Sequence, residues 1–228
     1  GTTDTSGAII VKTMNAGTLG VSGMLSFISG TTSSGTSGMI SIATGAATHG
    51  KGGDIRLSIG SGTTGRGGDI AMTAGSTLRL MGTTGGAIVL ESGEGQATSS
   101  GRVVIRTKNA GALGVSGEIR FSTGTTSSGA SGKVTISTGA ATNGKGGDIH
   151  LSIGSGTTGR DGGNVLVNAG ENTGATGGAV SISSGRGTAK SSGGISIRTA
   201  NAGTAGVSGG LRFSTGTTSS GASGKVTI

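Results

Sequence analysis

A glycine that introduces a short apolar alternation recurs along this chain every 15 or 16 residues, with a single spacing of 18, at Gly7, Gly23, Gly38, Gly53, Gly68, Gly86, Gly101, Gly117, Gly132, Gly147, Gly163, Gly178, Gly193, Gly209 and Gly224. Self-similarity at so short a period marks a repeat architecture, in which one repeat cannot bury a core alone and must gain its stability from neighbours. The second and fourth residues after each marker are apolar in every repeat, thirty positions in a chain that is 31% hydrophobic. Ile40 with Ile42, Ile55 with Leu57, Val134 with Ile136 and Ile149 with Leu151 show the pattern, while the third residue is mostly polar or small, as in Ser41, Arg56 and Thr135. Alternation of period two is the mark of a half-buried strand.

Seven residues after the marker stands a second glycine in almost every repeat. Two glycines half a repeat apart suit two corners of a flattened coil, where the backbone turns tightly or approaches the next coil. Gly38, Gly45, Gly53, Gly60, Gly132 and Gly139 are the candidate corner residues. One coil has two or three apolar side chains, worth about 2 kcal/mol each on burial, against an ordering cost of about 1 kcal/mol or more per residue. Only stacking can offset that, with strands about 4.8 Å apart. The pattern therefore predicts an all-β fold, a parallel β-solenoid (β-helix) of either handedness, with about fifteen coils in a rod of roughly 70 Å and Ile40, Ile42, Ile55, Leu57, Val134, Ile136, Ile149 and Leu151 in its core ladder. The phrase Gly-Thr-Thr-Ser-Ser-Gly returns at Gly30, Gly124 and Gly216, 94 and 92 residues apart, so six coils make a super-repeat. One continuous domain, 1–228, is expected, with super-repeats at about 7–100, 101–192 and 193–228, and a bulge or loop in the longer spacing from Gly68 to Gly86. Both ends fall within a repeat, which predicts continuation by further repeats or end-to-end association of copies.

Composition narrows the function. The chain has 54 glycines and no proline, which excludes collagen. Without cysteine there is no disulfide, thiolate nucleophile or thiolate zinc site. No apolar run is long enough to span a membrane. The net charge of +8 is spread along the chain, and aromatic residues are only 1%. With no platform for base stacking, nucleic acid is not expected, and a polyanionic polysaccharide or a mineral surface suits the charge better. Arg56, Arg120 and Arg212, at the outward third place, are candidate surface contacts, and the outward apolar residues Ile10, Val89 and Val104 are candidates for lateral packing.

The motifs that resemble chemistry read better as structure. Gly60-Ser-Gly62-Thr-Thr-Gly65, repeated at Gly154, Gly156 and Gly159, spells a dinucleotide fingerprint, and Gly45 to Lys51 and Gly139 to Lys145 approach a phosphate loop. Both motifs need a following helix, and here another strand pattern follows. Asp54, Asp69 and Asp148, in Gly-Gly-Asp-Ile, lack the nine-residue period of a calcium β-roll and are expected to cap turns or pair with Lys51, Arg66 and Lys145. His49 and His150 belong to different repeat types, and no serine is singled out as a nucleophile. No catalytic, cofactor or metal site is expected, and an enzyme is not. Ranks of threonine partly match those of ice-binding solenoids, which makes a monomeric adhesive or ice-binding module the alternative reading.

The wording of the repeats, such as Ser131-Gly132-Lys133-Val134-Thr135-Ile136-Ser137-Thr138-Gly139 and Asn201-Ala202-Gly203-Thr204, resembles long Gly/Ser/Thr-rich repeat proteins predicted in diatoms and related stramenopile algae. The resemblance covers the whole chain. It implies a secreted surface or matrix component, hence an extracellular or cell-surface location, and supplies no site residues. The expected function is that of a structural subunit of an extracellular filament, with copies of itself as the main partner.

Overall fold

A computed structural model of the chain describes residues 6–78, 84–156 and 161–228. Among these residues there is no helix and no β-strand, only turns and bends joined by irregular segments. This overturns the expected β-solenoid. The reason lies in where the backbone hydrogen bonds go. A parallel stack joins residues one coil, 15 or 16 positions, apart. The longer-range backbone bonds here close loops inside the repeat instead, from Gly86 N to Gly75 O (2.8 Å), Gly101 N to Gly93 O (2.9 Å), Gly178 N to Gly170 O (2.9 Å) and Gly193 N to Gly185 O (3.0 Å). The Ser/Thr/Gly return segment, which a solenoid needs as its second wall, is consumed as a loop. Three of these closures span 8 residues and the one from Gly75 to Gly86 spans 11; closing 8 rather than 15 is also entropically cheaper, although only by about half a kcal/mol.

The chain divides into two units, Gly1–Glu118 and Ile119–Ile228. Within each unit the same device recurs. The sixth residue after a marker glycine meets the next marker glycine, so that the residues between them form a loop with a narrow neck. In the first unit Thr44 packs on Gly53, where an added Cβ would lie 3.3 Å from Thr44 Cβ, and Thr44 Oγ1 donates to Gly53 O at 3.2 Å. In the second, Thr138 meets Gly147 in the same way, with Thr138 Oγ1 donating to Gly147 O at 3.1 Å. Ser29 with Gly38, Ile59 with Gly68, Thr123 with Gly132 and Ser184 with Gly193 repeat the arrangement. Of the expected corner glycines, the markers Gly38, Gly53 and Gly132 are therefore neck residues, whereas Gly45, Gly60 and Gly139 have open space where a side chain would stand. The extra residues of the long spacing after Gly68 include 79–83, which lie outside the described residues, as does Gly159.

Inside the loops, local chemistry sets the bend. In the three Gly-Thr-Thr-Ser-Ser-Gly phrases the second threonine hydroxyl accepts the amide of the second serine and donates to its carbonyl, as at Thr32 and Ser34, Thr126 and Ser128, and Thr218 and Ser220. The glycine that follows has φ of 105° at Gly35, 99° at Gly129 and 115° at Gly221, which a side chain would strain. Asn172 does the corresponding work elsewhere, its Oδ1 accepting the amides of Gly174 and Ala175.

Among the described residues the loops build no core. Thr13, Ser29, Ala74 and Gly95 are partly buried, and every other residue whose burial is described is exposed. Three of those four, Thr13, Ser29 and Ala74, sit at loop necks. The residues expected in the core ladder stay open, from 53% exposed at Ile40 to 77% at Ile42, with Ile55, Leu57, Val134, Ile136, Ile149 and Leu151 between. Two apolar side chains per repeat find nothing to pack on when neighbouring repeats do not stack. The chain leaves 23172 Å² accessible, against about 9,100 Å² for a folded monomer of this mass and about 31,000 Å² for its extended form.

Candidate functional site

Among the described residues no three of His, Cys, Asp or Glu come together as a metal site, and His49 and His150 are exposed in different units. The acidic residues of Gly-Gly-Asp-Ile take the role expected of them at the loop ends. Lys51 Nζ lies 2.6 Å from Asp54 Oδ1, Arg66 Nη2 lies 3.0 Å from Asp69 Oδ1, and Lys145 Nζ lies 2.7 Å from Asp148 Oδ2. All six side chains are well exposed, so each pair contributes under about 1 kcal/mol.

The distinctive feature is in the first repeat of each super-repeat. Elsewhere the fifth residue after the marker is small, apolar, neutral polar or, at Glu91, acidic; here it is a cation, Lys12, Arg106 or Arg198. The seventh place, glycine in most repeats, is Met14, Lys108 or Ala200, and an asparagine follows at Asn15, Asn109 or Asn201. The neck survives the change. Thr13 packs on Gly23, Thr107 on Gly117 and Thr199 on Gly209. Each loop then closes with a tight turn, from Gly20 N to Gly17 O (3.2 Å), Gly114 N to Gly111 O (3.1 Å) and Gly206 N to Gly203 O (3.2 Å).

In the second and third of these repeats the stretch from the cation to the asparagine lines an open concavity. In the first unit it measures about 380 Å³ and is lined by Arg106, Thr107, Lys108 and Asn109. In the second it measures about 400 Å³ and is lined by Arg198, Thr199, Ala200 and Asn201. The side chains of these residues make no hydrogen bond or ion pair with other described residues. That separates Thr107 and Thr199 from Thr44 and Thr138, whose hydroxyls are used at their own necks. The concavities are thus positively charged clusters of donors that are unpartnered among the described residues.

The surface residues singled out by the strand pattern lie elsewhere. Arg56, Arg120 and Arg212 are exposed and line neither concavity, and Ile10, Val89 and Val104 are exposed without a partner surface among the described residues. The apolar alternation drew attention to the second, third and fourth places of the repeat. The signal for the concavities lay in the fifth and seventh, where the first repeat of each super-repeat departs from the others. Among the described residues no helix is long and apolar enough to cross a membrane. No family model, curated protein or solved structure matches this chain.

Proposed function

We propose that the chain is a structural subunit of an extracellular filament, built by association of copies of itself. The observation that carries this reading is the exposure of the apolar positions: residues such as Ile40, Ile42, Ile55 and Leu57, patterned in every repeat, remain more than half exposed in a single copy. The surface in excess of a folded monomer's is on the order of 14,000 Å² by the same scaling, several times the roughly 1,600 Å² that a stable interface needs. A second copy suits this surface because it brings the same apolar spacing in the same register. Its backbone also carries amides and carbonyls of the kind that, among the described residues, the loop closures leave without a backbone partner. The extracellular setting rests on the resemblance to secreted repeat proteins. The role is mechanical, and no reaction is assigned to it.

Sedimentation velocity of the full chain over a wide concentration range tests the reading. Association into large species is expected as concentration rises. Replacing Ile40, Ile42, Ile55 and Leu57 together by serine is expected to move its midpoint upward at least about tenfold, since each side chain is worth about 2 kcal/mol on burial. A single slow species at every concentration, or a serine variant that associates as the parent does, would contradict the proposal.

A further inference from the structure

We propose that the concavities at Arg106–Asn109 and Arg198–Asn201, with the matching stretch Lys12–Asn15, bind the sulfate or carboxylate groups of an anionic polysaccharide. The inference rests on these residues and not on self-association. Each stretch joins a cation at the fifth place of the repeat to a neck threonine and an asparagine two residues beyond it. Guanidinium and amide N–H groups are donors whose fork geometry suits sulfate and carboxylate oxygens, and charge makes such bonds the stronger kind. These donors are unpartnered within the described residues, whereas Lys51, Arg66 and Lys145 already face a carboxylate.

Repetition favours a polymer over a free anion. One such stretch occurs per super-repeat, and a chain of linked anionic sugars presents each stretch with many anionic groups at a high local concentration, which a free anion does not. Nucleic acid offers anionic groups too, but single strands are held by aromatic stacking as well as charge, and aromatic residues are 1% of this chain, all phenylalanine and none lining a concavity.

The test compares two variants of the full chain that lose the same three positive charges. One carries Lys12→Gln, Arg106→Gln and Arg198→Gln; the other carries Lys51→Gln, Arg66→Gln and Lys145→Gln. All six positions are exposed and none is a neck residue, so the loops are kept. Binding is measured by titration calorimetry with dextran sulfate, uncharged dextran and a single-stranded oligonucleotide, below the concentration at which light scattering detects association. The expected result is binding of dextran sulfate but not dextran, weakened at least tenfold by the first variant and less than threefold by the second. Equal losses in the two variants would show that only net charge matters and would overturn the proposal. Tighter binding of the oligonucleotide than of dextran sulfate would overturn it as well, by assigning the concavities to nucleic acid.

Discussion

At the scale of single residues, the loops are set by positions where only one kind of side chain serves. Gly129 follows a threonine–serine turn with φ at 99°, and an added Cβ there would meet no other atom, so any penalty comes from the backbone alone. Gly129→Ala is expected to strain the turn by about 1–2 kcal/mol and to break the hydrogen bond from Ser128 N to Thr126 Oγ1, which spans 3.3 Å. Gly124→Ala, in open space and without a positive φ, serves as the control. The amide shift and temperature coefficient of Ser128, measured by NMR, should change in the first variant and stay unchanged in the second. The exposed ion pairs beside the loops weigh much less, because solvent screens them.

At the scale of the element, the loop neck is a packing device with a sterically defined limit. A Cβ on Gly68 would stand 2.8 Å from Ile59 Cγ2, closer than real contacts allow, whereas one on Gly60 would meet nothing within 4 Å. Gly68→Ala should therefore open this loop and abolish the nuclear Overhauser contact between residues 59 and 68, and Gly60→Ala should keep it. Adding Ile59→Ala to Gly68→Ala removes the offending methyl and should restore the contact, as Ala74 and Gly86 already meet without a clash. The glycine pair that defines this element was plain in the sequence. Its meaning was not, because two glycines seven residues apart serve equally as corners of a closed coil or as flanks of a loop. The discriminating residue is the sixth, Thr, Ser, Ala or Ile, which meets the next marker glycine. Alternation of side chains reports which positions are apolar, and it does not report which carbonyl receives the amide of Gly101 or Gly193. The concavities were legible in principle. Lys12, Arg106 and Arg198 depart from the fifth-place residues of all other repeats, a difference that alignment on the apolar places passes over.

For the whole molecule, the period is visible in sequence and structure alike, with a bend or turn returning at 33–35, 48–50 and 63–65 in the first unit and at 127–129, 142–144, 173–175 and 188–190 in the second. The expectation of a buried ladder failed because repeats close on themselves, and Ile40, Ile42, Val134 and Ile136 are left facing solvent. Apolar spacing specifies that these side chains need a partner; it does not specify whether the partner is the next repeat or another chain. We propose that it is another chain, so that a filament would be the state in which the apolar pattern is satisfied. The most direct measurement is electron cryo-microscopy of the concentrated full chain at a resolution that traces side chains. Filaments in which Ile40, Ile42, Ile55, Leu57 and their equivalents in the second unit are buried between copies are the expected result. Single particles at every concentration, or filaments joined through surfaces that leave those residues in solvent, would contradict it.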